Sequence, residues 1–116
     1  MNTRRKGQST LAKAIRYARS FPGTRTITMY QASRFATPQP FDLLLFRPTY
    51  WPCLVEVRTS QWRTGRASTV ELAQLPGEGY HKLIFRFNPR QTVPDIRRWD
   101  QHTQIWVTQD HPWEEA

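Results

Sequence analysis

Apolar and polar positions alternate with two periods along the chain, and the first period is helical. Between residues 9 and 20 the apolar positions are Leu11, Ala14, Ile15 and Ala18. This i, i+3, i+4, i+7 spacing places them on one face of a helix. Ser9 or Thr10 can cap its start, and the segment Phe21-Pro22-Gly23 ends it. The pattern therefore predicts an amphipathic helix over residues 9–20.

Later segments have the period of strands, with apolar and β-branched residues bounded by turn residues. Strands are predicted near residues 25–30, 41–47, 53–59, 81–88 and 104–108. A helix is predicted over residues 69–75, and a short helix or turn over 94–101, with Pro94 at its start. The order is α-β-β-β-α-β-(α)-β. A helix that joins three strands to a further strand indicates an α/β fold, with a mixed sheet flanked by helices.

The length of the chain limits it to one small domain. The sequence has 116 residues, which is enough for one core and not for two. The predicted division is a flexible basic arm over residues 1–7, a folded domain over 8–109 and a loose tail over 110–116. Cys53 is the only cysteine, which fits a reducing cytoplasm. No apolar run approaches the length of a membrane span, so no membrane partner is predicted.

Positive charge is concentrated in the first third of the sequence. Residues 1–41 contain eight Lys and Arg and no acidic residue, whereas residues 42–116 contain nine residues of each sign. The whole net charge of +8 therefore lies in the first third, which favours a polyanionic partner such as nucleic acid. A solvated basic tail is the alternative for residues 1–7. The cations predicted to bind nucleic acid here are Arg4, Arg5, Lys6, Lys13, Arg16 and Arg19.

The stretch FDLLLFRPTYWPCLVEVR, residues 41–58, predicts a hairpin that carries candidate chemistry. If the strands pair around Thr49, Asp42 faces Glu56, and Arg58 lies on the same face two residues further on. Facing carboxylates repel each other, so they need a cation between them or one of them must stay protonated. Arg58 can supply that charge, and so can Mg²⁺, which prefers oxygen ligands. An ordinary strand face with a Glu–Arg pair is the alternative interpretation.

In their order, these residues resemble the PD-(D/E)XK nuclease superfamily, especially its small Holliday-junction-resolvase-like and restriction-endonuclease-like members. The shared pieces are Lys6-Gly7 before a helix, "PFD" with Asp42 at the start of a strand, and "VEVR" at the end of the next. The resemblance spans roughly residues 6–88 and implies a restriction-endonuclease-like fold.

The resemblance also implies an activity, the hydrolysis of phosphodiester bonds in DNA, with branched DNA among the expected substrates. Asp42 and Glu56 would bind Mg²⁺, with Mn²⁺ as an alternative ion. Arg58 would occupy the position of the family's lysine, as a third catalytic residue. Resolvase-like members act as dimers, so a homodimer is a further expectation.

Two departures from the family pattern keep other functions open. Arg58 stays charged at any working pH and cannot act as a base, although it can stabilise a phosphate. The first predicted helix carries no acidic residue, where many family members have one. A catalytically degenerate DNA-binding or assembly subunit is therefore one alternative, and a small basic RNA-binding module is another.

The loop that follows the hairpin places an aromatic residue among arginines. Trp62 can stack on a base, and Arg63 and Arg66 can contact phosphates. Gln61 is a further candidate, able to orient a water or a backbone group near the site. These four residues are therefore assigned to nucleic-acid binding, and the alternative for Trp62 is that it covers the end of the core.

Overall fold

The computed structural model describes residues 3–29, 40–59, 62 and 67–113, with the backbone alone for residues 3–9. In this part of the chain the order is one helix, three strands, a second helix and three strands. Helix α1 spans Thr3–Arg19 and helix α2 spans Ala67–Gln74. The strands are β1 Arg25–Thr28, β2 Leu43–Phe46, β3 Cys53–Thr59, β4 His81–Phe87, β5 Asp95–Asp100 and β6 Ile105–Gln109.

The strands form one mixed sheet in the order β1-β2-β3-β4-β5-β6. Neighbouring strands are antiparallel, except that β3 and β4 are parallel. A parallel pair needs a long crossover connection, and α2 lies in the chain between these two strands. The protein is therefore a single-domain α/β fold with a mixed sheet, which confirms the fold class at this level.

The main core lies between α1 and one face of the sheet. Ala14 and Ala18, two of the predicted apolar positions of α1, are fully buried there. The strand residues that meet α1 include Leu43, Leu45, Cys53, Val55, Leu83 and Phe85. Burial raises the pKa of the Cys53 thiol to about 12, so the thiol stays protonated at neutral pH and packs as a small apolar group.

Helix α1 starts earlier than the sequence predicts, at Thr3 instead of Ser9. The backbone of residues 3–7 is therefore helical, where a flexible arm was expected. Arg and Lys are good helix formers, and no proline interrupts this stretch. Gly7 disfavours a helix by only about 1 kcal/mol, so the helix extends through it.

The predicted short helix or turn over residues 94–101 is wrong, because these residues form strand β5. Residues of β5 pair with β4 on one side and β6 on the other. Pro94 precedes the first strand residue, where its missing N–H leaves no gap in the hydrogen-bond ladder. Pairing with β4 and β6, the strands before and after it in the chain, thus overrides the local signal for a helix or turn.

Of the predicted loose tail over residues 110–116 the structure describes 110–113, and Pro112 and Trp113 are buried there. Trp113 is only 4% exposed and belongs to the core cluster, beside Tyr50 with ring centroids 5.4 Å apart. Pro112 is also fully buried. No helix in the described ranges is long and apolar enough to cross a membrane. The homodimer and the cytoplasmic location stay predictions.

Candidate active site

The predicted register of the β2–β3 hairpin is confirmed. Leu43 pairs with Val55, Leu44 with Leu54 and Leu45 with Cys53. Leu43, Leu45 and Val55 point into the α1 core, so the alternate residues of β3 point to the opposite face. Glu56 and Arg58 are therefore brought together on the face that α2 covers.

Asp42 lies one residue before the first paired residue of β2 and is exposed. Its backbone N–H donates to the carbonyl of Val55 over 2.8 Å. Its carboxylate Oδ2 accepts a hydrogen bond from the backbone N–H of Val57, also over 2.8 Å. Because Val57 stands between Glu56 and Arg58, the Asp42 carboxylate is held against the same three-residue segment of β3.

Glu56 is a buried carboxylate with both oxygens engaged. It is 4% exposed, and its Oε1 accepts from Nε of Arg58 over 2.5 Å. The hydroxyl of Thr69, in α2, lies 2.9 Å from Oε1 and 3.2 Å from Oε2 of this carboxylate. Thr69 is fully buried and joins the first turn of α2 to β3. Sequence reasoning missed Thr69, because no local spacing connects a helix residue to a strand residue 13 positions earlier.

Helix α2 is fixed to the same face of the sheet at its other end. Nζ of Lys82, on β4, donates to the carbonyls of Ala73 and Leu75 over 2.8 and 2.7 Å. A cation at these last carbonyls of a helix also complements the negative end of the helix dipole. Burial lowers the pKa of Lys82. The Thr69 and Lys82 contacts together hold α2 over Glu56.

Arg58 is 4% exposed, and its two terminal nitrogens, Nη1 and Nη2, are buried with no hydrogen-bond partner in the described ranges. Nε of Arg86, the residue in register with Arg58 on β4, is buried and unpartnered in the same way. Buried donors without acceptors are costly and need an anion or water to satisfy them. Arg58 and Arg86 therefore place unsatisfied buried donors side by side on β3 and β4.

The arginines form a stripe across three adjacent strands. Arg58 and Arg86 are in register on β3 and β4, and Arg97 follows on β5. Trp62 lies over the last two, with its ring centroid 4.9 Å from the Arg86 guanidinium and 4.1 Å from that of Arg97. Asp95 pairs with Arg86 over 2.5 Å. Sequence reasoning found Trp62 and missed Arg86 and Arg97, although the alternation of β4 could have placed Arg86 on this face.

The cations predicted on the first helix are not brought to this site. Helix α1 packs on the opposite face of the sheet from α2, and Arg16 and Arg19 are exposed there. Nζ of Lys13 donates to the carbonyl of Pro89 over 2.9 Å. The predicted side chains of Arg4, Arg5, Lys6, Gln61, Arg63 and Arg66 lie outside the described part of the structure. In the described part of the chain, the cation that contacts Glu56 is Arg58.

Comparisons of the chain with models of protein families, with curated proteins and with solved structures found no match. The fold and the site geometry therefore carry the functional argument. In the described ranges no group of three or more His, Cys, Asp or Glu side chains can hold a metal ion, so Asp42 and Glu56 provide two carboxylates at most. Such a pair suits Mg²⁺, which keeps several waters and shares its shell with substrate phosphate.

Proposed function

We propose that the protein is a DNA-binding, metal-dependent endonuclease with a restriction-endonuclease-like fold. One observation carries the proposal. The Asp42 carboxylate is held at the backbone of Val57, between Glu56 and Arg58. The order of one helix, three strands, a helix and a parallel strand, with Asp42 at the start of β2 and the acid and cation on β3, is the order that the family resemblance requires.

The chemistry divides between the carboxylates and the arginine. Asp42 and Glu56 would hold Mg²⁺ or Mn²⁺, which when bound supplies a more acidic water and neutralises charge at a scissile phosphate. Nη1 and Nη2 of Arg58 are buried, so they would donate to an oxygen of that phosphate only after a metal displaces Arg58 from Glu56. Arg58 cannot remove a proton, so the base must be another group, such as a substrate phosphate or a second water.

A panel of substrates tests the proposal. The protein is incubated with labelled branched DNA, duplex DNA, single-stranded DNA and RNA, each with Mg²⁺, with Mn²⁺ or with a chelator. We expect metal-dependent cleavage of DNA, which Asp42→Asn reduces by about 100-fold or more, since a metal ligand contributes several kcal/mol to the transition state. Asp42 is exposed and asparagine keeps an oxygen for the Val57 N–H, so this variant retains the fold.

The burial of Glu56 favours a second function, DNA binding without cleavage. Its carboxylate is 4% exposed and already engaged by Arg58 and Thr69, so a metal must displace the arginine to reach it. A protein with the same fold that binds DNA without cutting it would show this arrangement. Such a protein would bind the DNA substrates with or without metal and would not cleave them. Asp42→Asn would leave its DNA binding unchanged. Preferential binding of RNA would instead indicate an RNA-binding module.

Arg58→Lys separates a disabled nuclease from a protein that never had the activity. Lysine is shorter, can lose a proton when buried, and leaves more of the Glu56 carboxylate for a metal. If the arginine disabled the site, Arg58→Lys should raise metal-dependent cleavage by about 100-fold, the usual contribution of a positioned proton-transfer group. Cleavage that falls in this variant would show that the arginine is itself the functional residue.

A further inference from the structure

A groove lies beside the candidate active site, between α2 with the turn over residues 75–78 and the two last strands. Its volume is about 870 Å³, within the range of ligand pockets. Two tryptophans, Trp99 on β5 and Trp106 on β6, form much of the sheet side. Val70 of α2 and Ile105 add apolar surface and are 39% and 57% exposed.

The two tryptophans form a cross-strand pair that is not fully covered. They are in register, their ring centroids are 5.3 Å apart and their planes are inclined by 59°. Each remains half-buried, so part of its ring surface faces the groove. Three amide side chains, Gln74, Gln101 and Gln104, also line the groove and offer both donors and acceptors.

Arg97 belongs both to the groove and to the arginine stripe. Arg97 lines the groove and also lies 4.1 Å from the centre of the Trp62 ring. Arg97 is in register with Ile84 of β4, which is in register with Glu56 of β3. Strand β3, which carries Glu56, is therefore two strand spacings, about 10 Å, from strand β5, which carries Arg97. The neighbouring row on the same face is formed by Arg58, Arg86 and Asp95.

We propose that this groove binds unpaired bases of a single-stranded nucleic acid whose backbone runs along Arg97 and Arg86, the second of which also pairs with Asp95. Aromatic surface, amide edges and guanidinium groups match the faces, edges and phosphates of nucleotides, and a base offers its face to a side chain only when it is unstacked. The inference rests on the proposed function and specifies its substrate as DNA with a single-stranded part. In the described ranges the groove has one acidic residue, Glu78, so an anionic strand is not repelled as it would be by an acidic cleft.

Binding measurements with matched tryptophan variants test this. Fluorescence anisotropy gives Kd for a labelled oligo-dT strand and for a hairpin duplex, with chelator present to prevent cleavage. Trp106→Ala should lower the preference for the single strand, measured as the ratio of the two Kd values, by about tenfold, the effect expected for loss of one stacked base. Trp51→Ala is the control, since Trp51 is 57% exposed and does not line the groove.

Photo-cross-linking supplies a readout that needs no variant. A strand containing 4-thiothymidine should cross-link to peptides carrying Trp99 or Trp106 in the wild-type protein. The inference is overturned if Trp106→Ala and Trp51→Ala give the same ratio, if cross-links map elsewhere, or if Trp106→Ala instead abolishes a dimer, which would make a second copy the occupant. If the wild-type protein cuts duplex DNA and gives any of these three results, the groove proposal is wrong and the proposed function stands. Wild-type protein that binds no nucleic acid refutes the proposed function as well.

Discussion

Replacing Glu56 with alanine is expected to destabilise the fold by about 3–5 kcal/mol, the usual cost of leaving a buried charge without its partner. Arg58 has 3% of its side chain exposed and Glu56 has 5%, so solvent cannot take over the lost interaction. The guanidinium cannot become neutral, and two of its nitrogens already lack partners in the described ranges. The Thr69 hydroxyl would also lose its acceptor. Urea denaturation followed by circular dichroism measures the change in the free energy of unfolding.

A double variant separates the ion pair from general packing. Glu56→Leu with Arg58→Met removes both charges and keeps similar volumes, and it should be more stable than Glu56→Ala alone, since paired apolar replacements of buried ion pairs are often neutral. If Glu56→Ala changes the free energy of unfolding by less than about 1 kcal/mol, the Glu56–Arg58 pair and the Thr69 hydrogen bond to Glu56 contribute little to stability. The cleavage test must therefore rely on Asp42→Asn, because loss of activity in a Glu56 variant can reflect unfolding.

Trp113→Ala is expected to cost about 3–5 kcal/mol, because it removes a large side chain from the core. Trp113 is 4% exposed, lies beside Tyr50 and has the Arg47 guanidinium 5.9 Å from its ring centre. Its indole N–H is buried without a partner in the described part of the chain, so part of the cost is offset when that donor is removed. Thermal or urea denaturation measures the change.

Trp51→Ala is the matched control for this prediction. Trp51 is 57% exposed and contacts the ring of His81 with centroids 5.4 Å apart, so its removal should cost about 1 kcal/mol or less. Equal effects of the two substitutions would mean that residues 110–113 contribute little to the stability of the core. A large effect of Trp113→Ala alone would establish that this segment completes the core.

The hairpin and its register could be predicted because they depend on local information. Strand side chains alternate with a period of two, so the turn at Thr49 fixes which residues of β2 and β3 face each other. Thr49 has a φ of 72°, the left-handed conformation of a tight turn. The contact between Glu56 and Arg58 follows from the same alternation. These are short-range properties, which a single sequence records.

The remaining features depend on contacts between distant segments. Trp113 is buried by residues far earlier in the chain. The burial of Glu56 beneath Thr69 needs the position of α2, which the Lys82 contacts help to set. The separation of the α1 cations from the site needs the knowledge that α1 and α2 lie on opposite faces. No local pattern contains this information.

The most direct test of the central claim is the rate of DNA cleavage in Mn²⁺ or Mg²⁺, measured with protein in excess over a labelled substrate, for the wild-type protein and Asp42→Asn. Both proteins are first compared by circular dichroism and urea denaturation, so that a difference in rate cannot arise from unfolding. We predict metal-dependent cleavage by the wild type, stopped by chelator, and a rate at least about 100-fold lower for Asp42→Asn. Equal rates for the two proteins, or no cleavage by the wild type with either ion, would contradict it.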